Sequence, residues 1–189
     1  MNEIKPIETY YKGYRFRSRL EARWAVFFDY MGIPYEYEPE GLILPDGTYY
    51  LPDFYLPDSN QFFEVKGFLN DLDMNKVQGL IELGYSVTVG YANGKFQACD
   101  NFGHYYELTD STSSWLCWCK VCGRYYFIGC NGGYECPHCG SYDGDHLFNI
   151  VMEGNPDNNY SHNSLWDVAR QARFEHGETP IIKQGGIIR

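Results

Sequence analysis

The sequence predicts an α/β protein whose sheet is mixed, joined to a small cysteine-rich module and a C-terminal helix. In the first 92 residues, apolar side chains recur at helical spacing, then at strand spacing, and then in both patterns again. Two Cys-x-x-Cys-Gly motifs follow at 119–123 and 136–140, and helical spacing returns near the C-terminus. We therefore expect three parts, 1–110, 115–145 and 146–189, with a polar linker at 110–114.

The first helix is predicted to begin after Ser18 and to end at Gly32. Serine is a preferred N-cap, and glycine is the preferred residue just past a helix. Ser18 and Glu21 also fit a capping box, in which the glutamate side chain bonds back to the cap amide. The apolar residues of this helix share one face, which predicts that the face is buried: Leu20, Trp24, Phe27, Phe28 and Met31.

Short strands are predicted after this helix. Residues 35–38 alternate Tyr with Glu, and residues 42–44 form an apolar run that leads into a Pro-Asp-Gly turn. Two further strands are predicted at 49–56 and 62–66. The Pro-Asp-Ser-Asn stretch at 57–60 is typical of a turn, so we expect these two strands to form a hairpin.

A second helix and a final strand complete the predicted sheet. Asn70 or Asp71 can cap the helix, and Gly84 can end it. Its apolar face would consist of Met74, Val77, Leu80 and Ile81. Residues 85–91 then alternate as a strand, which predicts a right-handed β-α-β crossover from the strand at 62–66.

Two carboxylates and one ammonium are predicted to meet in the hairpin. On a strand, Glu64 and Lys66 lie on one side, whereas Phe63 and Val65 point to the other side and into a core. Hairpin pairing would bring Asp53 beside Glu64. Two hard oxygen ligands suit Mg²⁺ or Mn²⁺, and Lys66 would orient or help to deprotonate an attacking water. The alternative is that Asp53 is a turn residue and that Glu64 and Lys66 form a solvated strand face.

These motifs resemble those of a known nuclease superfamily. Pro52-Asp53 followed by Glu64-Val65-Lys66 is similar to the signature of PD-(D/E)xK nucleases, and residues 16–24 resemble the first-helix motif of its members from phages and mobile elements. The resemblance covers roughly residues 10–92. It implies a restriction-endonuclease-like α-β-β-β-α-β core and a DNA endonuclease, encoded by a phage or mobile element and acting in the bacterial cytoplasm.

The resemblance also implies roles for individual residues. Asp53 and Glu64 would bind the catalytic metal directly, with the Val65 carbonyl as a further ligand. Lys66 would act on the attacking water. Glu21 would be a third acidic member of the site, although its capping-box position gives it an equally good structural role.

The paired cysteine motifs predict a structural zinc site in a zinc ribbon. Cys119 and Cys122, with Cys136 and Cys139 after an intervening stretch of thirteen residues, can surround one tetrahedral Zn²⁺. The alternatives are disulfides, which are rare in the cytosol, and a ligand set in which Cys117 replaces Cys119. The other cysteines, Cys99, Cys117 and Cys130, are expected to be buried or free thiols.

The distribution of charge predicts where nucleic acid would bind. A formal net charge of −10 argues against indiscriminate binding of polyanions. Residues 10–24, in contrast, carry five basic residues and one acidic residue, a net of +4. A C-terminal helix from Ser164 to Gly177 would place two further arginines on one face. The predicted phosphate contacts are Lys12, Arg15, Arg17, Arg19, Arg23, Arg170 and Arg173; the alternative is that they form solvated faces or pair with acidic residues.

The sequence as a whole predicts a metal-dependent DNA endonuclease. DNA is the expected partner, and a protein partner or a homodimer is compatible with the sequence. The alternative function is a non-catalytic zinc-ribbon protein that engages a DNA-processing or defence protein through its acidic surface. No apolar run reaches the roughly 18–20 residues of a membrane span, and no apolar signal region is present, so we expect a soluble cytoplasmic protein without membrane contact.

Overall fold

The computed structural model describes residues 6–67, 74–99, 114–129, 135–142, 149–154 and 164–174. The helices are α1 (Arg19–Met31), α2 (Met74–Glu82) and α3 (Ser164–Gln171). The strands are β1 (Thr9–Tyr11), β2 (Tyr14–Phe16), β3 (Glu36–Tyr37), β4 (Leu42–Ile43), β5 (Tyr49–Tyr50), β6 (Phe54–Leu56), β7 (Gln61–Lys66), β8 (Ser86–Tyr91), β9 (Phe96–Cys99), β10 (Ser114–Trp118), β11 (Tyr125–Gly129) and β12 (Asn149–Glu153). Together they form two compact units, one of residues 1–33 with 163–189 and one of residues 34–162.

The first unit contains the β1–β2 hairpin, α1 and α3. Helix α1 has the predicted bounds, because the Ser18 hydroxyl caps its first turn and Gly32 ends it in the left-handed conformation at φ 72°. Its aromatic face is buried. The Trp24 and Trp166 rings, with centroids 4.4 Å apart, join α1 to α3.

Helix α3 is shorter than the sequence predicts. It ends at Gln171 instead of Gly177, and the residues beyond 174 lie outside the described part of the chain. The Ala172 amide donates to the Ala169 carbonyl at 3.3 Å, so the last turn tightens to a spacing of three residues. Phe174 then packs edge-on against Tyr11, with ring centroids 6.0 Å apart.

The second unit is built on a five-stranded mixed sheet in the order β3-β6-β7-β8-β9. Strands β7 and β8 are parallel and the other neighbours are antiparallel, which confirms the predicted mixed α/β architecture. Helix α2 lies between β7 and β8 in the chain and packs on their apolar residues. The cluster consists of Leu44, Phe62, Val77, Leu80 and Val87. The predicted cap at 70–71 lies outside the described residues.

The predicted strand at 49–56 is wrong in one respect, because it is two strands in two different sheets. Strand β5 pairs with β4, whereas β6 belongs to the main sheet. Pro52 lies between them and has no N–H group to donate to a sheet ladder. Asp53 therefore stands just before β6, where its carbonyl accepts a hydrogen bond from the Glu38 amide at 2.9 Å.

A second sheet in the same unit has the order β11-β10-β12. Its first strand begins at Ser114, the last residue of the predicted linker, and residues 110–113 lie outside the described part of the chain. Phe127 on β11 packs on Phe63 and Phe96 of the main sheet, with ring centroids 5.3 and 4.9 Å apart. The two sheets therefore share a core.

None of the three described helices has the length and apolar content that crossing a membrane requires.

Candidate metal centres

The β6–β7 hairpin brings Asp53 and Glu64 together. Phe54 pairs with Phe63 in the ladder, so the residues just outside this pair become neighbours. The Asp53 carboxylate accepts a hydrogen bond from the Val65 amide at 2.8 Å, and the Asp53 amide lies 3.4 Å from a Glu64 carboxylate oxygen. Both side chains are buried, with 6% and 1% of their surfaces exposed.

Lys66 joins the same cluster. Its Nζ lies 3.1 Å from Glu64 Oε2 and 3.5 Å from Asp53 Oδ2. The solvated strand face considered for Glu64 is therefore wrong, because this side chain is buried. Two buried carboxylates and one partly exposed ammonium carry a net formal charge of −1.

The electrostatics of the cluster penalise the charge on Glu64. Burial and the neighbouring Asp53 raise the pKa of Glu64, while Lys66 and a hydrogen bond from Tyr50 oppose that rise. Burial acts to lower the pKa of Lys66, but the two carboxylates outweigh it and hold that pKa above its ordinary value. Lys66 is therefore a charged ammonium at neutral pH.

Tyr50 is a member of this cluster that the sequence did not single out. It lies on β5, and its interaction with Glu64 opposes the rise in the pKa of that carboxyl group. Lys76 of α2 stands over its ring, with Nζ 5.4 Å from the centroid. Tyr50 is one of eighteen tyrosines in the chain, and no spacing pattern distinguishes it from those that only pack.

Glu21 lies in the first unit, and its carboxylate is engaged locally. One oxygen accepts from the Ser18 hydroxyl at 2.7 Å, and the other accepts from the Arg17 amide at 3.1 Å. The Glu21 amide in turn donates to the Ser18 hydroxyl oxygen at 3.1 Å. Glu21 therefore has the capping role, but its carboxylate bonds the amide of Arg17 instead of the expected amide of the cap residue Ser18. The catalytic role of Glu21 and the Val65 carbonyl ligand stay predictions.

Four cysteine sulfurs form the second centre. The Sγ atoms of Cys119, Cys122, Cys136 and Cys139 all lie within 4.8 Å of one another, and no other group of three or more potential metal ligands occurs among the described residues. Cys117 is not in the set. The two closest Sγ–Sγ distances are 3.7 Å, whereas a disulfide needs about 2.0 Å, so these cysteines are thiols.

Two tight turns build the cysteine cluster. Gly123 and Gly140, at φ 72° and 66°, follow the second cysteine of each motif. Their amides donate to the carbonyls of Cys119 and Cys136 at 2.8 and 2.9 Å. A residue with a Cβ is strained in this left-handed conformation, which accounts for the glycine at both positions.

The four thiols differ in their tendency to ionise. Burial raises the pKa of Cys119, but hydrogen bonds from Ser141 and from backbone amides outweigh it and lower that pKa to about 6. Hydrogen bonds with Ser141 also lower the pKa of Cys139. Burial raises the pKa of Cys136 to about 12 and also raises that of Cys122. Four sulfurs in this arrangement could bind a zinc ion, whose charge stabilises the thiolates.

The predicted phosphate contacts fall into three groups in the first unit. Lys12 and Arg15 form ion pairs with Asp29 and Glu8, at 2.7 and 2.6 Å. Arg17 is exposed at the start of α1. The remaining four, Arg19, Arg23, Arg170 and Arg173, line one pocket.

Comparison with known proteins adds no relative, because no family model, no curated protein and no solved structure matches this chain. The likeness to PD-(D/E)xK nucleases therefore rests on the motif residues and their spacing.

Proposed function

We propose that this protein is a metal-dependent endonuclease that hydrolyses phosphodiester bonds in DNA. The observation that supports it is the meeting of Asp53, Glu64 and Lys66 in one buried cluster. A structural ion pair needs one carboxylate for one ammonium. A second buried carboxylate beside the first adds repulsion, which is the arrangement expected where a cation is to be held.

Asp53 and Glu64 suit Mg²⁺ or Mn²⁺, because their carboxylates offer hard oxygen donors. When bound, the ion would supply Lewis-acid chemistry, activating water and offsetting charge on the phosphate. By resemblance, the Val65 carbonyl would be a further ligand and Glu21 a third acidic residue acting through a water.

The other residues of the cluster position and balance these carboxylates. The Val65 amide fixes the orientation of Asp53, and the Tyr50 hydroxyl favours the ionised form of Glu64. Lys66 donates hydrogen bonds that orient the attacking water and offset negative charge in the transition state. Its raised pKa makes it a poor base at neutral pH, so we assign it this role in place of proton removal.

We also propose that the cysteine cluster binds one structural Zn²⁺. Cys119, Cys122, Cys136 and Cys139 supply four sulfur ligands, which leaves no open position for a substrate. The ion would hold the two tight turns together and would take no part in hydrolysis.

A cleavage assay tests the nuclease proposal. Purified protein is mixed with linear duplex, circular, single-stranded and branched DNA, with Mg²⁺, with Mn²⁺ or without a divalent ion. We expect at least one substrate to be cut only when a divalent ion is present. Asp53→Asn and Glu64→Gln should abolish the cut, whereas Glu82→Gln, which removes an exposed carboxylate of α2, should leave it unchanged.

Two results would contradict the proposal. One is cleavage that persists at the wild-type rate in folded Asp53→Asn and Glu64→Gln proteins. The other is a folded wild-type protein that cuts no substrate in the panel, which would favour the non-catalytic binding protein instead.

A further inference from the structure

The hairpin of β4 and β5 carries an exposed apolar face. Ile43 pairs with Tyr49 across its ladder, so the two side chains lie on the same side. Tyr49 has 82% of its surface exposed and Ile43 has 56%. The other cross-strand pair, Leu42 with Tyr50, lies on the opposite side and is partly buried. We call the side of Ile43 and Tyr49 the outer face of the hairpin.

The inner face and the turn hold the hairpin in place. The inner pair packs on the buried cluster beside α2, to which Leu44 belongs. In the turn, the Leu44 amide donates to the Thr48 carbonyl at 2.9 Å, and an Asp46 carboxylate oxygen accepts from the Thr48 amide at 2.8 Å. The backbone that carries Tyr49 is therefore ordered in advance, which lowers the entropic cost of binding a ligand there.

The outer face lies beside the carboxylate cluster. Tyr50, whose side chain interacts with Glu64, directly follows Tyr49, and consecutive Cα atoms are about 3.8 Å apart. The next residue, Leu51, is exposed as well, and Asp53 is two residues further along the chain. A nucleic-acid strand with one phosphate at Asp53 and Glu64 would therefore pass close to Tyr49.

The small size of the outer face favours a single planar group as its ligand. A stable protein interface buries about 800 Å² on each partner, whereas one aromatic side chain buries about 150–250 Å². Tyr49 and Ile43 together are much closer to the second value. This size argues against a second copy of the chain and fits one flat ring.

The chemistry of the outer face selects a nucleobase. A tyrosine ring offers an apolar surface on which any base can stack. Stacking needs no surplus of cations, so it is compatible with a chain that carries a net charge of −10. In a continuous duplex, neighbouring base pairs already cover both faces of each base. Only an unpaired base has a face left for Tyr49.

We propose that Tyr49, supported by Ile43, forms a subsite that stacks an unpaired base next to the phosphate to be cleaved. The position of that phosphate rests on the proposed nuclease function. The subsite selects as substrate a nucleic acid that is single-stranded at the point of cleavage, and it disfavours a continuous duplex.

Binding without cleavage tests the subsite. Fluorescence anisotropy is measured in buffer without divalent ions, in an Asp53→Asn background, with a labelled single strand and with the same strand in a duplex. Adding Tyr49→Ala should weaken binding of the single strand by about five- to a hundredfold, which is the contribution of one base stacked on an aromatic ring. Tyr49→Phe keeps the ring and should retain the affinity of the background. Duplex binding should change in neither variant.

The salt dependence separates stacking from contact with phosphate. Tyr49→Ala removes no cation, so the slope of log affinity against log salt should stay at the background value while the affinity falls. Tyr142→Ala is the matched control, because it removes another exposed tyrosine, from the cysteine module. It should leave the affinity for both nucleic acids unchanged.

Several results would overturn the subsite. They are background affinity for the single strand in a folded Tyr49→Ala protein, an equal loss in Tyr49→Phe or Tyr142→Ala, an equal loss on the duplex, and the absence of strand binding in the background. Light scattering that shows a wild-type dimer and a Tyr49→Ala monomer, with unchanged strand binding, would instead make the outer face an interface between copies.

Failure of the subsite and failure of the nuclease function give different results. Metal-dependent cleavage of a single strand that Tyr49→Ala leaves at the wild-type rate would contradict the subsite and uphold the nuclease. Tyr49-dependent strand binding by a wild-type protein that cleaves nothing would uphold the subsite as a binding site and contradict the nuclease.

Discussion

Glu64 is a carboxylate that folding places in an unfavourable environment, since burial and Asp53 raise its pKa. In the window from the ordinary value near 4.5 up to the raised folded value, the folded state holds more protons than the unfolded state. The contribution of Glu64 to stability is therefore full below that window and is lost as pH rises through it.

Replacing Glu64 tests this linkage. In buffer without divalent ions, Glu64→Gln should flatten the fall in melting temperature as pH rises from 4.5, because glutamine does not titrate. It should match or exceed the wild-type melting temperature at neutral pH, since the repulsion with Asp53 is removed. Glu82→Gln is the control at an exposed site. Identical profiles of melting temperature against pH for Glu64→Gln and the wild type would contradict the burial of Glu64 beside Asp53.

At the level of single residues, the sequence could predict the meeting of Asp53, Glu64 and Lys66. Hairpin register follows from the turn and from strand alternation, both of which are local. Tyr50 could not be predicted, because it reaches Glu64 from β5, in a sheet that Pro52 separates from the hairpin. The sequence also gave no sign that Lys66 would keep its proton, since that depends on burial and on both carboxylates.

Among the secondary-structure elements, a strand next to the cysteine module packs directly on the main sheet. Phe127 of β11 packs against Phe63, which is the neighbour of Glu64 on β7. Loss of the Zn²⁺ proposed for the cysteine cluster should therefore loosen the packing beneath the proposed active site as well as the turns themselves.

Substituting a zinc ligand tests this connection. Cys122→Ser should lose the one Zn²⁺ per chain expected in the wild type and should lower the melting temperature, because metal affinity contributes to folding free energy. Cys99→Ala, outside the cluster, should keep one Zn²⁺. Metal content by elemental analysis and thermal unfolding check both statements. A wild-type protein that contains no zinc would contradict the metal assignment.

The contact between the two sheets depends on Gly154. Its carbonyl accepts from the Phe96 amide at 3.1 Å, and a Cβ there would lie 2.3 Å from the Phe96 carbonyl oxygen. Gly154→Ala should therefore cost roughly 1–3 kcal/mol of unfolding free energy. Gly41→Ala is the control, since its Cβ would meet ordinary contact at 3.6 Å. Chemical denaturation that gives equal stability for the two variants would contradict the docking of the sheets.

The sequence could predict α1, α2 and the β6–β7 hairpin because caps, turns and periodicity specify them locally. Strands β1, β2, β9, β10 and β12 were not predicted. Strand β10 follows a run of serine and threonine that resembled a linker, and its residues are mostly buried, which removes the alternation that would reveal a strand.

For the whole molecule, the sequence predicted a sheet domain at 1–110 and a cysteine module at 115–145, but it could not predict the core that their strands share. The Gln61 side chain lies 3.4 Å from the Phe127 carbonyl, 66 positions along the chain. Contacts of such range follow from tertiary packing and leave no local pattern. Likewise, the basic residues near the N-terminus suggested a single phosphate track. The structure instead pairs Lys12 and Arg15 with acids, and it gathers Arg19 and Arg23 with Arg170 of α3 and with Arg173 just beyond that helix.

The central claim is that Asp53 and Glu64 together hold a divalent cation. The most direct measurement is a titration of Mn²⁺ into zinc-loaded protein, followed by electron paramagnetic resonance of the free ion. The wild type should bind Mn²⁺ at a site that Asp53→Asn and Glu64→Gln each eliminate, while Lys66→Met should still bind it, because lysine is no ligand. If both carboxylate variants bind Mn²⁺ with wild-type stoichiometry and affinity, Asp53 and Glu64 are not a metal site.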